Sequence, residues 1–383
     1  MPPFVVFFPC IGSPNLVDYG GTLMPTEYAW FLPTGQYGDG HKINAKVAER
    51  PPTVEYLSEV ARAAEVAGFV NLLVPTGTHC LDGWIMSAAI AERTDKIKFC
   101  VAFRPGLMSP VLTAQQAATF DIVTGGRLTV NVVTGSTAVD QRRYGDHLAH
   151  DDRYARTDEF LDIVKSVWQN DGPVDHKGEL YEVEGATIYA KPLTKPYPPI
   201  YLGASSEAGR RCGAKHADVH MMWTGEVEEA AQDALDMKQR AAEFGREDEI
   251  TLGLRMHVVC RETKEEARRA AEAMLERTDI SNVQVWADMR NKTESEGQRR
   301  MNALGARASF WVTDTLWMGV NAVRAGAGAT LVGTPEMIAN ALREYVEAGC
   351  GTFILSGWPH LEEADIFGRE VMPLLKDTEP TVL

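Results

Sequence analysis

Short apolar runs alternate with longer amphipathic stretches along most of the chain. Runs over residues 28–33, 70–74, 97–103, 128–133, 200–203, 219–222, 251–259 and 352–356 are continuous enough to predict strands buried on both faces. Between them, helical spacing predicts helices over 54–67, 83–91, 110–122, 156–168, 207–214, 228–243, 265–275 and 335–348. Boundary residues agree with this reading. Gly68 and Gly349 each follow a helix, and Thr334-Pro335 offers a cap followed by a proline at the first helical position. Eight strands alternating with helices predict an α/β fold of the (β/α)8 TIM-barrel type. An open doubly wound sheet is the rival, but the turn after its first strand is usually Gly-rich, and Pro33-Thr-Gly-Gln-Tyr-Gly-Asp-Gly40 is not G-x-G-x-x-G.

The alternation is interrupted. Residues 174–189 read as a small hairpin, and 279–329 as a mobile lid too long for a plain connector. The domain plan is an N-terminal arm over 1–27, a barrel over 28–376 carrying both insertions, and a tail over 377–383.

Composition narrows the function classes. The apolar fraction of 45% and charged fraction of 24% are those of a soluble enzyme. A net charge of -15 argues against nucleic acid and against an acidic membrane surface. An anionic substrate therefore needs a local basic spot acting against the global field. The six cysteines show neither metal-ligand nor redox spacing, so reduced thiols in a cytoplasmic protein are expected. No run approaches the roughly 18 apolar residues of a membrane helix. The histidines show no HxH or HExxH spacing, so no metal site is expected.

The candidate chemistry gathers at predicted strand ends, where α/β barrels keep their active sites. Ser356-Gly-Trp-Pro-His-Leu-Glu-Glu-Ala364 places Trp358 and His360 after a buried run, either as core or as a pocket wall. In Leu254-Arg-Met-His-Val258, strand period two puts Arg255 and His257 on one face. Such an arginine either pairs with a core carboxylate or offers its fork to an oxyanion. Cys80 and His79 sit at another strand end; for Cys80 a nucleophile and a packing or cofactor contact are the two readings. Two segments suit a phosphate. One is Tyr201-Leu-Gly-Ala-Ser-Ser-Glu-Ala208, a strand, small-residue turn and helix start. The other is Asn131-Val-Val-Thr-Gly135, with Tyr154 nearby to supply a phenol.

These segments resemble the bacterial luciferase-like flavin monooxygenases, in particular the alkanesulfonate monooxygenase branch. The likeness runs in order through Trp30-Phe-Leu-Pro-Thr34, Val74-Pro-Thr-Gly77, Val101-Ala-Phe-Arg-Pro105, Gln115-Gln-Ala-Ala-Thr119 and Asn131-Val-Val-Thr-Gly135. It continues through Pro198-Pro-Ile-Tyr-Leu-Gly203, Leu254-Arg-Met-His-Val258, Val323-Arg-Ala-Gly-Ala-Gly328 and Ser356-Gly-Trp-Pro-His-Leu-Glu-Glu363. The resemblance implies a barrel that takes FMNH2 from a separate NAD(P)H-dependent flavin reductase. With O2 as co-substrate it cleaves the C–S bond of an organosulfonate to sulfite and an aldehyde. It further implies a homodimer or homotetramer. By position it assigns Arg255, His257, His360, Trp223 and Trp358 to the substrate and oxygen site, and Arg307 to a lid. Cys80, Arg104, Asn131, Thr134, Tyr154, Ser205 and Ser206 fall to the flavin. The chain departs from the family pattern at Thr34-Gly-Gln-Tyr-Gly-Asp-Gly-His41, which has two extra residues and lacks a histidine, and at Trp358, where a tyrosine is usual. These departures keep the sulfosugar sulfoquinovose, a sulfone or a sulfur-free substrate open. A non-catalytic flavin-binding relative and a deazaflavin-dependent oxidoreductase also remain open.

Overall fold

The computed structural model describes residues 26–43, 47–135, 138–223, 225–276, 278, 295–306, 310–324 and 326–375. The arm before Thr26, the tail, Arg307 and much of the expected lid lie outside the described residues.

The strands are β1 (Glu27–Phe31), β2 (Asn71–Val74), β3 (Lys98–Phe103), β4 (Leu128–Val132), β5 (Val174–Lys177), β6 (Glu182–Ala186) and β7 (Ile200–Gly203). They continue as β8 (Val219–Met222), β9 (Thr251–Arg255), β10 (His257–Cys260), β11 (Leu316–Trp317), β12 (Thr330–Gly333) and β13 (Cys350–Leu355). Eight of them close a parallel barrel in the order β1-β13-β9-β8-β7-β4-β3-β2. These are the eight apolar runs of the sequence, so the (β/α)8 fold is observed. β5 and β6 form a separate antiparallel pair, and β10, β12 and β11 a three-stranded sheet.

One expected strand is two. The run over 251–259 breaks at Met256, because the chain changes partner there. Arg255 lies opposite Ile354 of β13, whereas His257 is paired with Thr330 of β12. The Met256 and Val258 amides still donate to Ile354 O and Ser356 O, while the His257 amide turns to Ala329 O. Arg255 and His257 therefore belong to different sheets that share one edge.

Strand alternation sorts the side chains. Ala29, Leu73, Cys100, Tyr201, Met221 and Ile354 fill the lumen, with Phe31 half-buried above them. Tyr28, Trp30, Leu72, Val74, Phe99 and Val101 face outward into the core beneath the helices. The same parity carries Asn131, Arg255 and Ser356 to the C-terminal mouth.

The helices are α1 (Val54–Ala67), α2 (Gly83–Ala91), α3 (Pro110–Val123), α4 (Ala138–Arg143), α5 (His150–Gln169), α6 (Glu207–His216) and α7 (Val227–Ala242). They continue as α8 (Lys264–Glu276), α9 (Glu296–Gly305), α10 (Gly319–Val323), α11 (Pro335–Glu347) and α12 (His360–Ile366). Thr53, Asp82, Ser109, Ser206 and Thr334 each accept a bond from the first turn of the helix they precede. Within the expected lid, α9, β11 and α10 are described. Trp317 and Val320 there pack with Val259, Ala267 and Ala271 in a second apolar cluster.

His220 on β8 braces the turn that begins α6. Its Nε2 donates to Ala204 O at 2.8 Å, and Gly213 of α6 leaves room for it, since a Cβ there would lie 2.2 Å from Nδ1. Burial pushes its pKa down to about 4, against the opposing effect of the Ala204 bond. An unfolded chain takes up this proton below about pH 6.5. The contribution is therefore complete above that pH and is lost as pH falls through about 4, to a limit of roughly 3 kcal/mol. In urea titrations, His220→Gln should lose less unfolding free energy between pH 7 and 4.5 than the parent protein. Equal losses in both would exclude this account.

Candidate active site

Three side chains at the mouth form a directed hydrogen-bond chain. Arg255, 7% exposed, donates from Nη2 to Ser356 Oγ at 2.7 Å, and from Nη1 to Met256 O at 2.5 Å and Ile354 O at 3.3 Å. His257, fully buried, contacts Ser356 Oγ through Nδ1 at 2.7 Å and Ala327 O through Nε2 at 2.8 Å. A carbonyl only accepts, so Nε2 carries the proton and Nδ1 accepts from the serine hydroxyl. Burial, then the charges of Arg255 and Arg324, push the His257 pKa well down, which keeps this neutral tautomer.

The positive charge of the mouth comes from arginines without carboxylate partners. Arg324, just past α10, lies over the Phe31 ring at 6.0 Å and the Trp358 ring at 5.6 Å; Arg255 lies over Phe31 at 4.9 Å. Among the described residues neither arginine has an ion pair. Burial and then Arg324 push the Arg255 pKa down, and burial lowers Arg324 to about 10 against the effect of Cys80. Among the described residues, at most three of the five Arg255 donors are used by protein acceptors. The sequence reading missed the roles of Arg324, Ser356 and Phe31. Arg324 lies in Val323-Arg-Ala-Gly-Ala-Gly328, and only the fold shows that it reaches the aromatic wall.

Trp358 and His360 complete that wall. The Trp358 ring lies 4.6 Å from His257 and 5.7 Å, edge-on, from His360. His360 also stacks near Phe31 at 5.6 Å. Its Nδ1 is taken by Asp39 at 2.8 Å, and Nε2 has no partner among the described residues. Arg255, His257, Trp358 and His360 thus come together as the sequence suggested, although both nitrogens of His257 are already occupied.

The residues expected at the flavin are distributed more widely. Arg104 is buried, ion-paired with Asp140, and stacked over Tyr144 at 5.1 Å. Its charge is neutralised within the protein. Thr134 is buried against Thr157 at 3.2 Å, and Asn131 is half-buried on β4. Tyr154, Ser205 and Ser206 do gather. The Ser206 hydroxyl caps α6 beside the Tyr154 phenol, whose pKa burial pushes up to about 12 against the lowering effect of Ser206. A Cβ on Gly297 would lie 3.1 Å from Ser205 Oγ and 3.4 Å from Trp223, so bare backbone leaves a small recess between them. Serine hydroxyls, a phenol and the free amides of a helix start fit a phosphate. Trp223 belongs to this recess, on the α9 side.

Cys80 pairs by backbone with Gly35 and is half-buried near the arginines. Burial raises its thiol to about 11, ahead of the lowering effect of Thr34. It is therefore a thiol at neutral pH, which supports a packing or cofactor contact over a nucleophile. Alkylation by iodoacetamide at pH 7.5, mapped by mass spectrometry, should proceed on the order of 100-fold more slowly at Cys80 than at an exposed cysteine. Alkylation at the rate of a free thiol would contradict the assignment.

The fold has solved counterparts. EDTA monooxygenase from Chelativorans sp. BNC1 superposes with a TM-score of 0.75 at 18% identity, over 93% of this chain and 95% of that one. Riboflavin lyase, solved with modified FMN and riboflavin, gives 0.76 at 20% identity over 94% of each. An F420-dependent secondary alcohol dehydrogenase gives 0.67 at 19% identity, over 92% of this chain and 100% of that one. At these identities the likeness is one of fold. A family model described as luciferase-like monooxygenase matches residues 26–352, nearly the whole barrel, and the chain belongs to that family.

Proposed function

We propose that the protein is a two-component monooxygenase that uses FMNH2 and O2 to desulfonate an organosulfonate. The observation that carries this reading is the pair Arg255 and Arg324, which has no carboxylate partner among the described residues and faces an aromatic wall. A buried guanidinium without a counter-charge is costly, and an anionic ligand removes that cost. A sulfonate offers three oxygens and one negative charge to the remaining donors of Arg255 and the open fork of Arg324.

Bound flavin supplies the reductive activation of dioxygen. Its phosphate fits the turn of Ser205 and Ser206 with the Tyr154 phenol. The protein's part is to bind, orient and exclude water. Phe31, Trp358 and Trp223 offer apolar faces to the flavin or the substrate carbon, and the arginines hold the sulfonate. Sulfonate, O2 and reduced flavin give aldehyde, sulfite, oxidised flavin and water. The reduced flavin comes from a separate NAD(P)H-dependent reductase.

With such a reductase, FMN and NADH, sulfite should be released from at least one member of a panel of alkane and sugar sulfonates. Arg255→Ala and Arg324→Ala should each lower kcat/KM by roughly 2–5 kcal/mol of lost binding to the anion. Full activity in both variants would remove the anion site. Turnover only of carboxylates or sulfones would move the substrate class. Hydride transfer with F420 and no oxygen uptake would replace the cofactor.

A further inference from the structure

We propose that Asp39 is a positioning residue that fixes the imidazole of His360 with Nε2 as its free nitrogen, making it the proton acceptor of the mouth. The chemical role rests on the reaction proposed above, whereas the positioning rests on geometry alone.

The carboxylate is 3% exposed and accepts four hydrogen bonds. Oδ1 takes the Gly40 amide at 2.8 Å and His360 Nδ1 at 2.8 Å; Oδ2 takes the His360 amide at 2.8 Å and the Tyr56 hydroxyl. Its accepting sites are thus all used. Burial acts to raise its pKa, but the His360 charge and these bonds outweigh burial and hold it below the usual carboxylate value. An ionised carboxylate only accepts, so His360 Nδ1 carries a proton. In the neutral imidazole the lone pair then lies on Nε2, which faces no acceptor or donor among the described residues. Asp39 holds both the ring nitrogen and the backbone of His360, so ring and helix start are fixed by one group.

The turn is built to hold this carboxylate. Asp39 and Arg50 exchange backbone bonds of 2.9 and 3.0 Å. Gly38 on one side has φ 56°, and a Cβ there would lie 2.3 Å from Arg50 O. The Tyr56 hydroxyl that reaches Asp39 is itself met by Arg50 Nη1 at 3.3 Å, and Arg50 forks onto Glu362 at 2.7 and 2.5 Å. Glu362 lies two residues after His360 on α12, so the brace returns to the helix it orients.

In the proposed reaction, oxygen insertion at the substrate carbon leaves a 1-hydroxysulfonate. Its collapse transfers the hydroxyl proton to His360 Nε2. The O–H electron pair becomes the second bond of the aldehyde carbonyl, and the C–S pair departs with sulfite. The imidazolium so formed is stabilised by the buried Asp39 carboxylate. His257 and the Arg255 and Arg324 charges share the mouth, but both His257 nitrogens are occupied, which leaves Nε2 of His360 as the open acceptor beside Trp358 among the described residues; His79 stands exposed on another strand end near Arg324.

The test is long-range 15N–1H NMR of histidine-labelled protein without flavin or substrate, with His360 assigned by His360→Gln. At a pH where the ring is neutral, Nδ1 should be protonated and Nε2 unprotonated, and Tyr56→Phe should keep that signature. The opposite tautomer in the parent protein overturns the proposal, whatever the activity. Asp39→Asn should lower kcat for sulfite release by roughly 100- to 10,000-fold while changing KM little. In the His360→Gln background it should add little further loss, as expected of groups acting as one unit. Additive losses assign Asp39 a merely structural role. The expected tautomer with no sulfite from any sulfonate would leave the positioning intact and remove the substrate assignment.

Discussion

The cost of a buried guanidinium governs the arrangement of the mouth. Arg255 ends a barrel strand, where strand parity turns its side chain over the lumen. There it meets two backbone carbonyls, a serine hydroxyl and the face of Phe31, none of which cancels its charge. Arg324 adds a second positive charge from a different part of the chain. Everything nearby is arranged to tolerate this charge without neutralising it. Carbonyl dipoles and ring faces offset part of the desolvation, and the remainder is available to an anionic ligand.

The exchange of partners at Met256 lies between the two residues of the site. Strand parity keeps His257 on the face of Arg255, while its amide turns to Ala329 O and the residue pairs with Thr330 of β12. On that face the imidazole meets Ser356, whose hydroxyl serves both neighbours. This serine is the pivot of the site: it accepts from one residue and donates to the other. An alanine there would orphan a guanidinium donor and an imidazole acceptor at once, both deeply buried.

Most of the barrel was legible because strand and helix periods differ and several helix starts carry side-chain caps, as at Thr53 and Thr334. The exchange of partners at Met256 was not, since an apolar run says that a strand is buried but not which edge it pairs with. Arg255, His257, Trp358 and His360 were found because they follow strands directly. The role of Arg324 was not legible, because a long irregular connection does not reveal which arginine folds over the wall. Arg307, placed there by the sequence reading, lies outside the described residues. Asp39 was hidden in a turn that reads as a departure from the family pattern. Only the structure shows that its carboxylate closes on a helix start 321 residues away.

The two histidines illustrate how one field assigns two roles. Protonation of His257 would remove the acceptor on which the Ser356 hydroxyl depends, and Nε2 already donates to Ala327 O. A second proton therefore breaks the chain as well as adding a third positive charge beside two arginines. Burial and those arginines together keep His257 neutral, so it acts as a fixed element of the wall. His360 stands on the other side of Trp358 with a carboxylate at its back. A proton arriving at His360 is met by an opposite charge, whereas one arriving at His257 is opposed. Charges farther from the mouth than the screening length of about 8–10 Å contribute little at physiological salt. The balance between these local charges, rather than the global one, decides where a proton or an anion is held.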